Sequence, residues 1–315
     1  MKIGIPRALY YYEHYPFWET YFHKLGFEIV LSRKTNKEIM DWGVFYAVDG
    51  ACLPVKIYHG HVYDLVQKNV DYIFIPRIIS VVQREYICPK FMGLPDMICS
   101  SVPNLPTVLV PVIDARRNGW KVFQAYFALG RKFASPAKVV QAYYRACKAL
   151  QMKQNSPIIS VKPNRLTLGI LGHEYLIYDD YLTMGIVSRL KAGGYNLYTL
   201  DSFDSNLLKH FREPSFKRMF WTSGRKIING TNYLKEQVDG FISLVAFSCG
   251  TDSLVCDLVE RFCQRNQIPH LLLNLDEHTG QAGIFTRLEA FLDMLERRAV
   301  HEVNCSSHGE LLHSL

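Results

Sequence analysis

Short apolar runs alternate along the chain with longer stretches in which apolar positions recur every three or four residues, and this alternation predicts strands interleaved with helices. KIGIP reads as a buried strand, residues 14–25 as a helix closed by Gly26, and FEIVLS as the next strand. Asn36 is placed to cap a helix over 37–46, Cys52–Gln67 reads as another helix, and DYIFIP as a strand. Beyond a loop that carries Cys88, a short helix near 94–101 precedes the strand TVLVPVID, and a helix follows from about 119 to 133. Strands and helices in this order predict a parallel sheet with helices on both faces.

The pattern changes at residues 136–164. SPAKVVQAYYRACKALQMKQ aligns Val139, Val140, Ala142, Tyr143, Cys147 and Leu150 along one side of an amphipathic helix, and NSPIISVKPNR reads as a linker. The alternation then restarts with the strand LTLGILGH, a helix over 178–192 and the strand YNLYTL. Residues 205–237 read as irregular or helical. GFISLVAFSCG is a strand, a helix runs to about residue 265, HLLLNLD is a strand, and IFTRLEAFLDMLERR is the final helix.

The two halves echo each other. IGIPRA…HKLGFEIVLS and LGILGH…KAGGYNLYTL share the order strand, glycine, helix, glycine, strand, and NVDYIFIPRI matches QVDGFISLVAFSC with Asp71 and Asp239 in the same place. The expected organisation is an N-terminal α/β domain over 1–134, a helix and linker over 135–164, a second α/β domain over 165–300 and a tail over 301–315. Two related α/β domains facing each other would leave a cleft between them, a common place for a ligand.

Composition narrows the class. The 315 residues are 49 % hydrophobic and 21 % charged, an ordinary globular balance with material for two domains. No apolar run reaches the roughly 18 residues of a membrane span, so no membrane association is expected. The start, MKIGIPRALYYY, is a strand rather than the apolar segment of a signal peptide. A cytoplasmic location with reduced thiols is expected. The net charge of +7 is spread along the chain, with small clusters at Arg116–Arg117, Arg131–Lys132 and Arg297–Arg298. Without a basic arm or a recognisable motif, nucleic acid is not an expected partner; a phosphate-bearing ligand such as a coenzyme A ester remains open. The aromatic-rich YYYEHYPFW reads as packing.

Three of the eight cysteines are placed for chemistry. Cys52 opens a helix in GACLPVKIYHGH, Cys88 lies in a loop after a strand in REYICPKFMGLPDM, and Cys249 ends a strand and starts a helix in FISLVAFSCGTDSL. In open α/β folds, ligands collect outside the carboxyl ends of the strands, and thiolates select zinc, copper(I) or iron–sulfur clusters. The three read as ligands of one iron–sulfur cluster, with their sulfurs within about 7 Å of one another for Fe–S bonds of about 2.3 Å. The competing reading is small buried hydrophobes, which suits Cys99, Cys147, Cys256, Cys263 and Cys305 better. Helix N-termini at Cys52 and Cys249 favour anions, and Lys56 and Lys90 would add positive charge. His59, His61, His173 and His278 leave a zinc site open, against a structural role for each. DEHTGQAG, with Thr279, Gly280 and Gly283 at a strand end, offers backbone N–H groups to a phosphate or a sulfide. Should a fourth ligand close the site, Cys256, His59 and His278 are the candidates. There is no P-loop, no GxGxxG fingerprint, no GxSxG elbow and no HExxH helix.

KIGIPRAL, ACLPVKIYHGHV, DYIFIPRI, YICPKFMGLPDM, SCGTDSL and DEHTGQAG…TRLEAFLDML, in this order from Met1 to about Leu295, resemble the activase-related proteins of the 2-hydroxyacyl-CoA dehydratase superfamily. The resemblance implies flavodoxin-like or Rossmann-like domains with parallel-rich sheets facing across a cleft. It implies a [4Fe-4S] cluster held there by Cys52, Cys88 and Cys249, with the fourth iron left for water or substrate. It implies a low-potential redox centre that reduces a CoA ester or another small molecule, with an ATP-hydrolysing iron–sulfur activase as electron donor; a homo- or heterodimer is left open beside the monomer. The alternative is a non-enzymatic iron–sulfur or zinc scaffold or sensor that partners such an activase.

Overall fold

The computed structural model describes residues 1–154, 162–203, 208, 210–211 and 219–309, with side chains described as far as residue 299 except that of residue 154. The first half runs β1 (Lys2–Ile5), α1 (Tyr11–Leu25), β2 (Glu28–Leu31), α2 (Lys37–Tyr46), α3 (Leu53–Val66), β3 (Tyr72–Phe74), β4 (Arg77–Ser80), α4 (Pro89–Ser101), β5 (Thr107–Leu109), β6 (Val112–Asp114), α5 (Trp120–Gly130) and α6 (Pro136–Gln154). The second runs β7 (Thr167–Leu171), α7 (Glu174–Ile177), α8 (Ile186–Ala192), β8 (Asn196–Thr199), a 3₁₀ turn at Leu200–Ser202, α9 (Thr222–Leu234), β9 (Gly240–Ala246), α10 (Gly250–Arg265), β10 (His270–Leu275) and α11 (Gln281–Gly309).

Each half carries a four-stranded parallel sheet. The first has the order β2-β1-β3-β5 and the second, read from its far edge, β8-β7-β9-β10. In both, the second strand of the half flanks the first and the third lies on its other side, which is the flavodoxin-like winding. The chain therefore has two α/β halves of like topology. The echo around Asp71 and Asp239 has a structural counterpart. Lys2 N–H donates to Asp71 Oδ2 at 2.7 Å, and Thr167 N–H to Asp239 Oδ2 at 2.6 Å.

The caps follow the sequence. Asn36 Oδ1 accepts from Ile39 N–H at 3.0 Å to start α2. Gly26 ends α1 at φ +98°, a conformation that suits glycine. Helix α6 buries Val139, Ala142 and Ala146, and Tyr143 packs edge-on against Phe17 and Phe123. The main apolar core is continuous through both halves, joining Ile3, Ile5 and Phe74 of the first sheet to Leu168, Ile170, Ile242 and Leu244 of the second. A smaller core with Phe241, Val255, Val259, Phe262 and Cys263 lies beneath α9 and α10.

Several expectations need correcting. The strand expected over DYIFIP ends at Phe74, TVLVPVID is broken at a proline, and β4, just beyond Pro76, pairs with β6 in a separate two-stranded sheet; Pro76 and Pro111 lack the N–H that a ladder needs. The stretch 178–192 is not one helix. Met184 and Gly185 both adopt positive φ, +55° and +73°, so that only α8 continues after a turn. Val140 is 47 % exposed and lies off the buried face of α6. The short helix near 94–101 begins earlier, at Pro89, so Cys88 opens a helix rather than sitting in a loop. The final helix continues through residues 301–309, expected as a tail. Much of the linker at 155–165 and of the 205–237 segment lies outside the described residues, although α9 accounts for the end of the latter.

Candidate functional site

Each of the three cysteines is the N-cap of a helix: Cys52 of α3, Cys88 of α4 and Cys249 of α10. Pro54 and Pro89 sit in the first turns of α3 and α4, where a missing N–H costs nothing. Helix α3 is buried over nearly its whole length because glycines let α2 approach its backbone. A Cβ on Gly43 would meet Lys56 O at 2.3 Å, and one on Gly60 would meet Ile39 O at 1.9 Å. At Cys249 the chain turns sharply through Ser248, at φ +63°.

The three cysteines line one cavity between the halves, together with Tyr10, Lys90, His173, Tyr175, Trp221 and Asp252. It is narrow, about 30 Å³, room for a water or two. Cys52 and Cys249 are buried and Cys88 is half-buried. Tyr175 lies within electrostatic reach of Cys249, Cys52 and Cys88 alike, and Cys52 within reach of each of the other two. Among the described residues, no group of three or more His, Cys, Asp or Glu side chains stands as a ready-made metal-ligand set.

The electrostatics correct the expectation of ready thiolates. Burial pushes the Cys249 thiol up to about 12, with the Asp252 charge adding to it. Thr251 Oγ1, at 3.3 Å, and the Asp252 N–H hydrogen-bond the sulfur and oppose the rise without cancelling it. Burial also raises Cys88, against the Lys90 N–H and charge. Desolvation thus outweighs the helix dipole at these two N-termini. A metal would have to displace the protons, as metals do on binding thiols.

The other candidates separate cleanly. Lys56 is not a solvated charge beside Cys52; it is buried and paired with Glu277 of the DEHTGQAG segment. His59 Nδ1 is bonded to Val55 O at 2.7 Å. His61 is held between Ser32 Oγ (2.9 Å) and Thr35 Oγ1 (3.1 Å), and burial brings its pKa down to about 3. Both are structural. His278 is exposed, and Thr279 closes a local turn on Asp276. Cys263 belongs to the smaller core, Cys256 lines a different cavity, and Cys99 is exposed.

His173 is the histidine that reaches the cysteines' cavity. It caps α7, stacks on Tyr175 at 4.6 Å, and bonds Asp252 Oδ1 through Nε2 at 2.8 Å. Burial alone would lower its pKa, but Asp252, with help from Glu13, raises it above the ordinary value. Asp252, Tyr10 and Tyr175 were not singled out in the sequence. The acid in the first turn after Cys249 was the one available signal.

Residues 2–203 match the family described as CoA enzyme activase uncharacterised domain (DUF2229). The chain belongs to that family. The match takes in Cys52, Cys88 and His173 and stops before Cys249 and Asp252. No curated protein matches the chain. No described helix is long and apolar enough to cross a membrane. In the chemistry of its donors this family member's cavity suits a soft metal: three thiols, each the N-cap of a helix, line it together.

Proposed function

We propose that the protein binds one iron–sulfur cluster in the cavity between its halves, with Cys52, Cys88 and Cys249 as ligands. The observation that carries this reading is that three cysteines distant in sequence, each the N-cap of a different helix, line the same cavity. Such a cluster supplies low-potential one-electron chemistry. The chain's own residues would surround it with an aromatic wall from Tyr10, Tyr175 and Trp221, a positive charge from Lys90, and the hydrogen-bonded His173–Asp252 pair. Family membership favours a place in a dehydratase-type system, in which an ATP-hydrolysing activase is the electron donor and a CoA ester or another small molecule the acceptor. The reduced cytoplasm suits free thiols.

A second reading, a non-enzymatic scaffold or sensor holding a cluster or zinc, is favoured by the narrowness of the cavity, about 30 Å³, which leaves little room for a substrate. Anaerobic purification separates the two readings. A brown protein with iron and acid-labile sulfide supports the first, and zinc without sulfide the second. Under the first reading Cys52→Ala, Cys88→Ala and Cys249→Ala each lose iron, whereas Cys263→Ala keeps it. Full iron binding in any of the first three variants removes that residue from the site.

A further inference from the structure

The carboxylate of Asp252 is only half satisfied. Oδ1 accepts from His173 Nε2 at 2.8 Å, whereas Oδ2 is enclosed and has no hydrogen-bond partner among the described residues. The side chain is 6 % exposed. A buried carboxylate oxygen without a donor is a costly arrangement that calls for an electropositive partner. The nearby cations are engaged elsewhere: Lys56 by Glu277, Lys226 by Glu174 and Arg225 by Glu85. Lys90, also in the cavity wall, makes no ion pair with Asp252 among the described residues.

The placement of this carboxylate links it to the cysteines. Asp252 and Cys249 emerge from the same first turn of α10, and the Asp252 backbone N–H hydrogen-bonds the Cys249 sulfur. Asp252 lines the cavity with all three cysteines. His173 holds the carboxylate from the other side, and the Tyr175 ring stacked on the imidazole at 10° keeps it from turning away.

We propose that Asp252 is the fourth protein ligand of the cluster, its carboxylate taking the coordination position that Cys52, Cys88 and Cys249 leave open. The inference rests on the cluster reading above. His173 is a positioning residue that holds Oδ1 and leaves Oδ2 to the metal, the way outer partners orient metal ligands. A carboxylate is a harder donor than thiolate, and with it in place the position is closed at rest. Cys256, His59 and His278 drop out as fourth ligands. Cys256 is absent from the wall of the cysteines' cavity and lines only a neighbouring one, which Asp252 borders as well; His59 is bonded to Val55 O, and His278 is exposed on the far loop.

The test uses the full chain, purified or reconstituted anaerobically, with iron and sulfide counted and the electron paramagnetic resonance spectrum of the reduced form recorded with and without added imidazole. The wild-type spectrum is expected to be unmoved by imidazole and that of Asp252→Ala to shift. Asp252→Asn, which removes the negative charge at equal size, is expected to raise the reduction midpoint and carries the test if Asp252→Ala does not fold. Asp252→Cys is expected to restore a closed, imidazole-insensitive site. A wild-type cluster that shifts with imidazole as Asp252→Ala does, or variants that keep the wild-type spectrum and midpoint, overturns the assignment of Asp252 alone. Wild-type chain without iron and sulfide overturns the cluster reading and this inference together.

Discussion

The ammonium of Lys56 and the carboxylate of Glu277 form an ion pair that joins the two halves one helical turn from Cys52. Lys56 belongs to α3 of the first half and Glu277 to the loop after β10, and their side chains are only 9 % and 16 % exposed. The pair therefore fixes the start of α3 against the second half, and with it the spacing of Cys52 and Cys249 across the cavity.

Because both charges are enclosed, removing one should cost far more than a surface pair would. Lys56→Met is expected to destabilise the protein by about 3 kcal/mol, read from urea unfolding, and the double variant Lys56→Met/Glu277→Leu to recover most of the loss. Burial pushes the Glu277 carboxyl up, but the hydrogen bond and charge of Lys56 outweigh it, and the group sits below the usual range. A depressed carboxyl contributes stability that is present above the unfolded value of about 4.3 and lost as pH falls through the folded one. Lys56→Met should accordingly flatten the decline in stability below about pH 4. Single and double variants of equal stability would show the pair to be idle.

His61 gives a pH dependence in a different window. Burial between Ser32 and Thr35 lowers its pKa to about 3, against about 6.5 unfolded. The unfolded chain binds the proton first, so this contribution is intact above about pH 6.5 and is lost as pH falls toward the folded value. At pH 5 the loss from this one group is about 2 kcal/mol. His61→Gln, which can still bond both hydroxyls, should remove that slope between pH 6.5 and 5; an unchanged slope would exclude His61 as its source.

Asp71 and Asp239 perform one task twice, each accepting the backbone N–H of the residue that begins the first strand of its half, Lys2 or Thr167. Both aspartates are exposed, so Asp71→Ala and Asp239→Ala should each cost only about 1 kcal/mol. The sites are far apart in sequence and in different sheets, so the losses should add in the double variant. A strong coupling between them in a double-mutant cycle would contradict this account.

That twin was legible in the sequence because the same elements recur in the same order, with an aspartate just before the third strand of each half. The caps at Asn36, Gly26, Cys52 and Cys249 were legible because they rest on local order. Cys88 was misread because Pro89 reads as stiffening a loop, although it fills the start of α4. The helix expected over 178–192 failed where Met184 takes a left-handed conformation that its side chain does not announce. Lys56, His173 and Asp252 owe their roles to partners up to 221 residues away, and no periodicity encodes a contact of that range. The sequence could name the cysteines, but not the carboxylate beside them.

The close approach of α2 and α3 makes Gly60 the position where stability and site are most tightly joined. An added Cβ there would lie 1.9 Å from Ile39 O, a backbone atom that cannot rotate aside. The two helices must separate, and α3 carries Cys52 at its start and Lys56 one turn later. Overpacking of this kind costs about 1–3 kcal/mol, and Gly60→Ala should fall at the upper end because the nearest clash is with the Ile39 main chain. Gly50, with nothing within 4 Å of an added Cβ, is the matched control. Gly50→Ala should leave the unfolding midpoint nearly unchanged. If Cys52 is a cluster ligand, Gly60→Ala should also lower the iron retained after anaerobic purification, whereas Gly50→Ala should not. A Gly60→Ala protein as stable as the wild type would show that α2 and α3 do not pack this closely. One that is destabilised yet keeps all its iron would show that the position of α3 does not govern the metal site.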